Sequence, residues 1–215
     1  MFDRHPDYVA VILVAEGLRN GPTDADSERE LADAEAHLRA RGLARAADAP
    51  QIAAWRAAFG AFGAKPSRYP CSAEALAARV LKGDALPRVN RLVDHYNAVS
   101  VRHLVPVGGE DLDRLEGPLR LTVADGSERF DAAEGLDHPE AGEIVWRDDL
   151  GVTCRRWNWR QGTRTRLTEA SARAFFVFDR LGGLDMAELD AATVAMTAVL
   201  RRSPGCHMER VVLAR

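Results

Sequence analysis

Residues 118–130, PLRLTVADGSERF, mark the point at which the chain changes its apolar period. Leu119, Leu121 and Val123 alternate with Arg120 and Thr122, the pattern of a strand with one buried face, and ADGSE offers an Asp-Gly hairpin turn into Arg129–Phe130. Further strands are expected at Gly142–Trp146, Val152–Trp159 and Thr163–Leu167, with RQGT turning between the last two. Upstream of Pro106 the period is helical. Asp24–Arg41 has Leu31 and Leu38 seven apart, Thr23 or Asp24 to cap it and Gly42 to close it. Ile52, Trp55, Phe59 and Phe62 form a helical stripe that needs a core to cover it. Ser72 reads as the N-cap of a helix over Ala73–Leu81, and Arg88–Val99 as another with Val89, Leu92, Val93 and Tyr96 inward. Tyr8–Val14 is apolar on both phases, as in a strand covered on two faces. Glu169–Leu181 and Met186–Arg202 read as helices and HMERVVLA as a final strand. Helices and strands arrive in blocks, without a βαβ rhythm, so an α+β domain is expected over a Rossmann-type sheet.

An apolar fraction of 47% and a charged fraction of 28% place the chain among ordinary globular proteins, and its length suits one domain over 1–215. Cys71, Cys154 and Cys206 are odd in number and never in C-x-x-C spacing, and the histidines are scattered, so neither a disulfide framework nor a metal site is expected. G-x-G-x-x-G and P-loop patterns are absent, so no cofactor is implied. The apolar run Tyr8–Val14 is too short to span a membrane and no small-residue cleavage site follows it, which makes a cytoplasmic protein the expectation.

The charge is uneven. Asp125–Glu143 holds seven acids against one arginine, while Arg155–Arg166 holds five arginines and no acid, so the net charge of −3 conceals a dipole. In a regular strand Arg155, Trp157 and Trp159 would share a face and oppose Val152, Cys154, Arg156 and Asn158, so that the apolar side switches along the strand, as at a bulge or at a strand leaving the core for a groove. Flat rings and cationic forks on one face suit stacking on single-stranded nucleotides; the bland reading is a rim of arginines around core tryptophans. Asn90, Asp94 and Asn97, at i, i+4 and i+7, form one polar helical stripe, either solvated or walling a pocket. Gly108–Gly109 suggests a loop whose backbone amides approach a ligand. Ser100 and His103 lack an orienting acid at a fixed spacing, so a serine-type triad is not supported.

These blocks together resemble the B3/B4 domain, the editing module of the bacterial phenylalanyl-tRNA synthetase β subunit that also occurs in free-standing proteins. VDHYN (93–97), Pro106 and DLDRLEG (111–117) are similar to that subunit's V-D-V-T-N, Q-P-L-H-x-F-D and D-x-L-x-G. SAEALAARVLKGDALPRVNRLVDHYNAVSV, PVGGEDLD, GEIVWRDDLGVTCRRWNWRQ and RTRLT resemble blocks of the free-standing relatives, covering roughly residues 50–180; 1–49 and 183–215 would complete the domain. The resemblance implies two β-sheets with packed helices and a pocket for the 3′ end of a mischarged tRNA, where a positioned water hydrolyses the aminoacyl ester without a covalent nucleophile. Tyr96 and Asn97 fall on the Thr-Asn pair that lines this pocket, Gly151 and Val152 on a strand contacting the substrate amino acid, and Glu169 near a glutamate that reads a tyrosine hydroxyl. Gly108 stands where the synthetase motif has histidine, so specificity for tyrosine does not carry over. Arg155, Arg156, Arg160 and Arg164 become candidates for the acceptor backbone, and Trp157 and Trp159 for stacking on the terminal adenosine. The implied partner is tRNA, with no DNA specificity and no membrane. The alternatives are a non-catalytic tRNA-binding module and a binder of a small molecule such as a free amino acid.

Overall fold

The strand over Val9–Glu16 (β1) lies inside a four-stranded antiparallel sheet, between the C-terminal strand His207–Leu213 (β10) and Arg173–Arg180 (β9), which in turn pairs with Val107–Asp111 (β2). This computed structural model describes residues 3–215. Both faces of β1 are covered, which accounts for its unbroken apolar run: Val11, Leu13 and Ala15 enter one core cluster, while Ala10, Ile12 and Val14 meet another. β1 is thus sheet interior, and β10 is the mostly exposed edge strand of the same sheet.

Residues 173–180 correct the helix expected over Glu169–Leu181. In β9, Ala174, Phe176 and Phe178 face one core and Phe175 and Val177 the other. A strand buried on two faces shows no alternation, so its apolar run resembles a buried helix; the signal that separates them is the β-forming composition of Phe-Phe-Val-Phe.

The helices Ala25–Ala40 (α1), Pro50–Ala61 (α2), Ser72–Leu81 (α3), Arg91–His103 (α4) and Met186–Leu200 (α5) pack about this sheet. Asp24 caps α1 by accepting from the Asp26 and Ser27 amides. Ser72 is the first residue of α3 and Cys71 the N-cap, one residue earlier than the sequence suggested. α4 begins after Asn90, leaving Val89 exposed instead of inward.

The second sheet runs in the order Arg120–Val123 (β3), Ile144–Arg147 (β6), Val152–Arg155 (β7), Phe130–Ala132 (β4) and Gly135–Asp137 (β5), with Arg160–Gln161 (β8) paired to β7. ADGSE does turn, with Gly126 at φ +96°, but β3 and β4 do not pair as the expected hairpin. Glu128 accepts from the Asp125 and Gly126 amides and closes the loop on itself, while β3 pairs with β6 and β4 with β5 and β7. The strand expected over Val152–Trp159 ends at Arg155; its turn is Arg156–Trp159, and Arg160–Gln161 of the expected RQGT turn is the returning strand. Thr163–Leu167 is irregular, touching β2 through the single bridge Glu110–Arg166.

Candidate functional site

The turn after β7 is built from two consecutive left-handed residues, Arg156 at φ 45° and Trp157 at φ 66°. Left-handed backbone costs a non-glycine residue about 1–2 kcal/mol, and here the surroundings impose it. The Trp157 amide donates to the Ile144 carbonyl at 2.6 Å, and its fully buried ring stands edge-on to Trp55 at 5.1 Å and to Tyr8 at 4.9 Å between centroids. Arg156 lays its guanidinium 3.7 Å from the Tyr69 ring centre and 4.7 Å from that of Trp159. The switch of apolar side read in the sequence is this reversal.

The turn closes one wall of a cavity of about 280 Å³ between the two sheets. α4 contributes Tyr96 and Asn97, β2 Gly108 and Glu110, β9 Phe175, Val177 and Asp179, and α3 its first residue, Ser72. Trp146, Cys154, Asn158, Trp159, Arg160 and Gln161 also line it. Gly108–Gly109 is strand, not the loop that was expected, and each glycine has its own reason. A side chain on Gly109 would meet Phe176 Cδ1 at 2.8 Å and Tyr96 Cε1 at 3.1 Å, whereas one on Gly108 would meet nothing within 4 Å and would project into open space.

Two buried carboxyl groups mark the cavity. Asp179 accepts from Tyr8 Oη at 2.7 Å and from Asn158 Nδ2 at 3.1 Å, and burial raises its pKa to about 6. Burial raises Glu110 to about 7, against the opposing influence of nearby Thr165, Gln161 and Thr153; its Oε2 has no hydrogen-bond partner within the described protein. Burial also pushes the Cys154 thiol well above its ordinary range, with Glu110 and Asp179 adding to the effect, so this cysteine is not a thiolate nucleophile. The three cysteines are free thiols. Among the described residues no group of three or more His, Cys, Asp or Glu side chains could hold a metal ion, and no helix is long and apolar enough to cross a membrane.

Of the residues singled out in the sequence, Tyr96, Asn97, Gly108, Trp157, Trp159 and Arg160 meet at the cavity. The Asn-Asp-Asn stripe divides: Asn90 caps α4 by accepting from the Val93 amide, and fully buried Asp94 accepts from Thr23 Oγ1 at 2.6 Å and the Val89 amide at 2.8 Å. Gly151 sits where a Cβ would lie 2.5 Å from the Arg129 carbonyl oxygen, and Val152 packs with Phe130, Val145 and Ala124 in a small separate core. Glu169 is exposed and outside the lining.

The arginine segment meets the acidic one. Arg155 and Arg156 are 5% and 3% exposed and both pair with Glu143; Arg155 also pairs with Asp137, Arg156 with Glu140 and Arg160 with Glu134. Arg164 makes a bidentate pair with Asp148 at 2.7 and 2.8 Å. The dipole read along the chain thus largely cancels in space. The matched clusters were legible as a charge-complementary pair, but nothing local announced that they would face each other. Sequence reasoning also missed Glu110, Asp179, Asn158 and Ser72 as cavity residues; an acid inside or directly after an apolar β-forming run was the available signal for the first two.

The B3/4 domain family model matches residues 54–199. No curated protein matches the chain. Among solved structures, an N-terminal fragment of the phenylalanyl-tRNA synthetase β-subunit from Pyrococcus horikoshii is similar in fold at 12% identity and a TM-score of 0.50. The likeness covers 99% of this chain and 52% of that fragment, so the chain spans about half the length of its structural relative. Two sheets, the helices about them and a family match over most of the chain converge on one conclusion: this chain belongs to the B3/4 domain family.

Proposed function

We propose that the chain is a single-domain aminoacyl-tRNA deacylase, which acts in trans in the cytoplasm to hydrolyse the ester of a mischarged tRNA. The observation that carries this reading is the cavity, about 280 Å³ in volume, lined by Tyr96, Asn97 and Gly108 and opening beside Trp159 and Arg160. That volume suits an amino acid, while a flat ring and a half-exposed guanidinium beside it suit the terminal nucleotide of an acceptor end. Family membership and the fold shared with the synthetase fragment support the same reading. Water would add to the ester carbonyl, the bond to the ribose oxygen would break, and a proton would pass to that oxygen. Asn97 and the polar atoms around it would orient the ester and stabilise the oxyanion. A covalent route has little support, because no histidine lines the cavity to activate Ser72 and the Cys154 thiol is held protonated. Asn90, Asp94, Gly151 and Val152 would act by holding the backbone that shapes the site, as would Arg155, Arg156 and Arg164.

A panel of mischarged tRNAs incubated with the purified protein and with Asn97→Ala and Arg160→Ala tests this. Turnover of one or a few pairs, reduced in both variants, supports the deacylase; hydrolysis of none overturns it. The cancellation of the arginine charge favours one second reading, a small-molecule binder without an RNA role, which predicts ligand binding with no salt-sensitive tRNA affinity.

A further inference from the structure

The side-chain polar atoms buried without a hydrogen-bond partner on the described lining are of both kinds: a donor, Trp157 Nε1, a hydroxyl, Ser72 Oγ, and two acceptors. Glu110 Oε2 and Asn158 Oδ1 are buried without a hydrogen-bond partner within the described protein, and both residues line the cavity. The Asn158 amide is oriented by its own contacts: Nδ2 donates to Asp179 and the main-chain carbonyl accepts from the Ser72 amide, which leaves Oδ1 uncommitted. A buried acceptor without a donor costs about 1–3 kcal/mol, a cost that a bound molecule bringing N–H or O–H groups would relieve.

Charge narrows the class. Glu110 and Asp179 are 5% and 3% exposed, and neither makes an ion pair with a basic side chain among the described residues. Arg164, the cation whose charge reaches Glu110, is committed to Asp148. Among the described lining residues the one basic side chain is Arg160, which is 41% exposed. Arg160 is itself paired with Glu134, and the Trp159 ring already carries the Arg156 and Arg160 guanidiniums, so the two inner carboxyl groups are the part of the site without a basic partner.

We propose that the cavity selects a ligand carrying a cationic, hydrogen-donating group at its buried end, in the simplest case a primary ammonium, which docks on Glu110 and the Asn158 carbonyl oxygen. Glu110 is thus a specificity-determining residue, and Asp179 positions Asn158. The inference rests on the proposed function only in using the same cavity. An aminoacyl ligand has two sources of such a group, its α-amine and a basic side chain, and both share this chemistry.

The test is a titration of the full chain, followed by tryptophan fluorescence, with three amides that contain neither ester nor RNA. Norleucinamide carries only an α-ammonium, Nα-acetyl-lysinamide only a side-chain ammonium, and Nα-acetyl-norleucinamide neither. At least one ammonium probe is expected to bind tenfold or more tightly than the neutral amide, and Glu110→Gln, checked for folding by thermal melting, to erase that preference. The better ammonium probe identifies the source. Equal binding of all three, binding of none at millimolar concentration, or a preference that survives in Glu110→Gln overturns the inference. Deacylation of mischarged tRNA with no ammonium preference would sink this inference alone, whereas an ammonium preference without deacylation would sink the proposed function alone.

Discussion

Arg155 donates through Nε and Nη2 to the two carboxylate oxygens of Glu143, at 2.9 and 2.8 Å, with both side chains buried. The Arg156 amide also donates to Glu143, at 3.0 Å, so one acid supports two arginines and the start of the left-handed turn. Removing one member of a buried pair leaves the other charge uncompensated and costs about 3–5 kcal/mol. Arg155→Met should therefore lower the urea midpoint clearly, and Glu143→Leu more so, because it strips a partner from both arginines. An exposed pair such as Arg129–Asp131, replaced by Arg129→Ala, should move the midpoint little, with a contribution of about 0–1 kcal/mol.

The two adjacent glycines of β2 should respond in opposite ways. Gly109→Ala forces a methyl group against Phe176 and Tyr96 and should destabilise by about 1–3 kcal/mol, seen as a lower melting temperature. Gly108→Leu meets open space and should leave the melting temperature nearly unchanged while filling the cavity, so that ligand binding and any deacylation fall together.

Stability should depend on pH through Glu110 with a defined sign. Its folded pKa, about 7, lies above the ordinary 4.5, so its favourable contribution is complete below 4.5 and is lost as pH rises through 7. Glu110→Gln removes that loss. The stability of the variant relative to wild type should climb between pH 4.5 and 8 by on the order of 3 kcal/mol. The difference is the readout, because Glu30 acts the other way: although burial opposes it, hydrogen bonds with His95 and Arg202 hold its pKa at about 2, giving stability that disappears in acid. Paired denaturant curves at each pH would show a flat difference if Glu110 were an ordinary carboxylate.

If tRNA docks beside the cavity, Arg160→Ala should weaken binding and lower the slope of log affinity against log salt by about 1. Trp159→Ala should weaken binding about equally at all salt concentrations, by about 1–3 kcal/mol for one lost stacking partner. Filter binding at several ionic strengths separates the two; an unchanged slope in Arg160→Ala would remove that residue from the interface.

The helices α1 to α3, β1 and β10 were legible because capping residues and one-sided or two-sided burial leave local periods. β9 was not, since a strand covered on both faces loses its alternation. The β3–β4 hairpin failed for a different reason: a correct turn signal does not name the partner strand, and β6 supplies the neighbour of β3 from 20 residues further along. At the cavity, Asn97 and Gly108 stood out through the polar helical stripe and the Gly-Gly pair, and family resemblance added the role of Tyr96. Glu110 and Asp179 were passed over because each looked like an ordinary acid beside an apolar run, and burial is a property of the assembled sheets. The arginines carried the strongest sequence signal for an RNA surface, yet most of that charge is neutralised by acids from another segment.

The place of β1 bears on how this protein comes to be folded. Its two neighbours, β9 and β10, both lie far along the sequence: Glu16 meets Arg173 across 157 positions, and β10 follows β9. An emerging chain would leave both edges of this apolar strand unpaired until β9 and β10 had been made, since β1 pairs with these two strands. Closing so long a loop before any reward is collected makes folding slow. Stopped-flow refolding should therefore show the signal of this sheet appearing slowly.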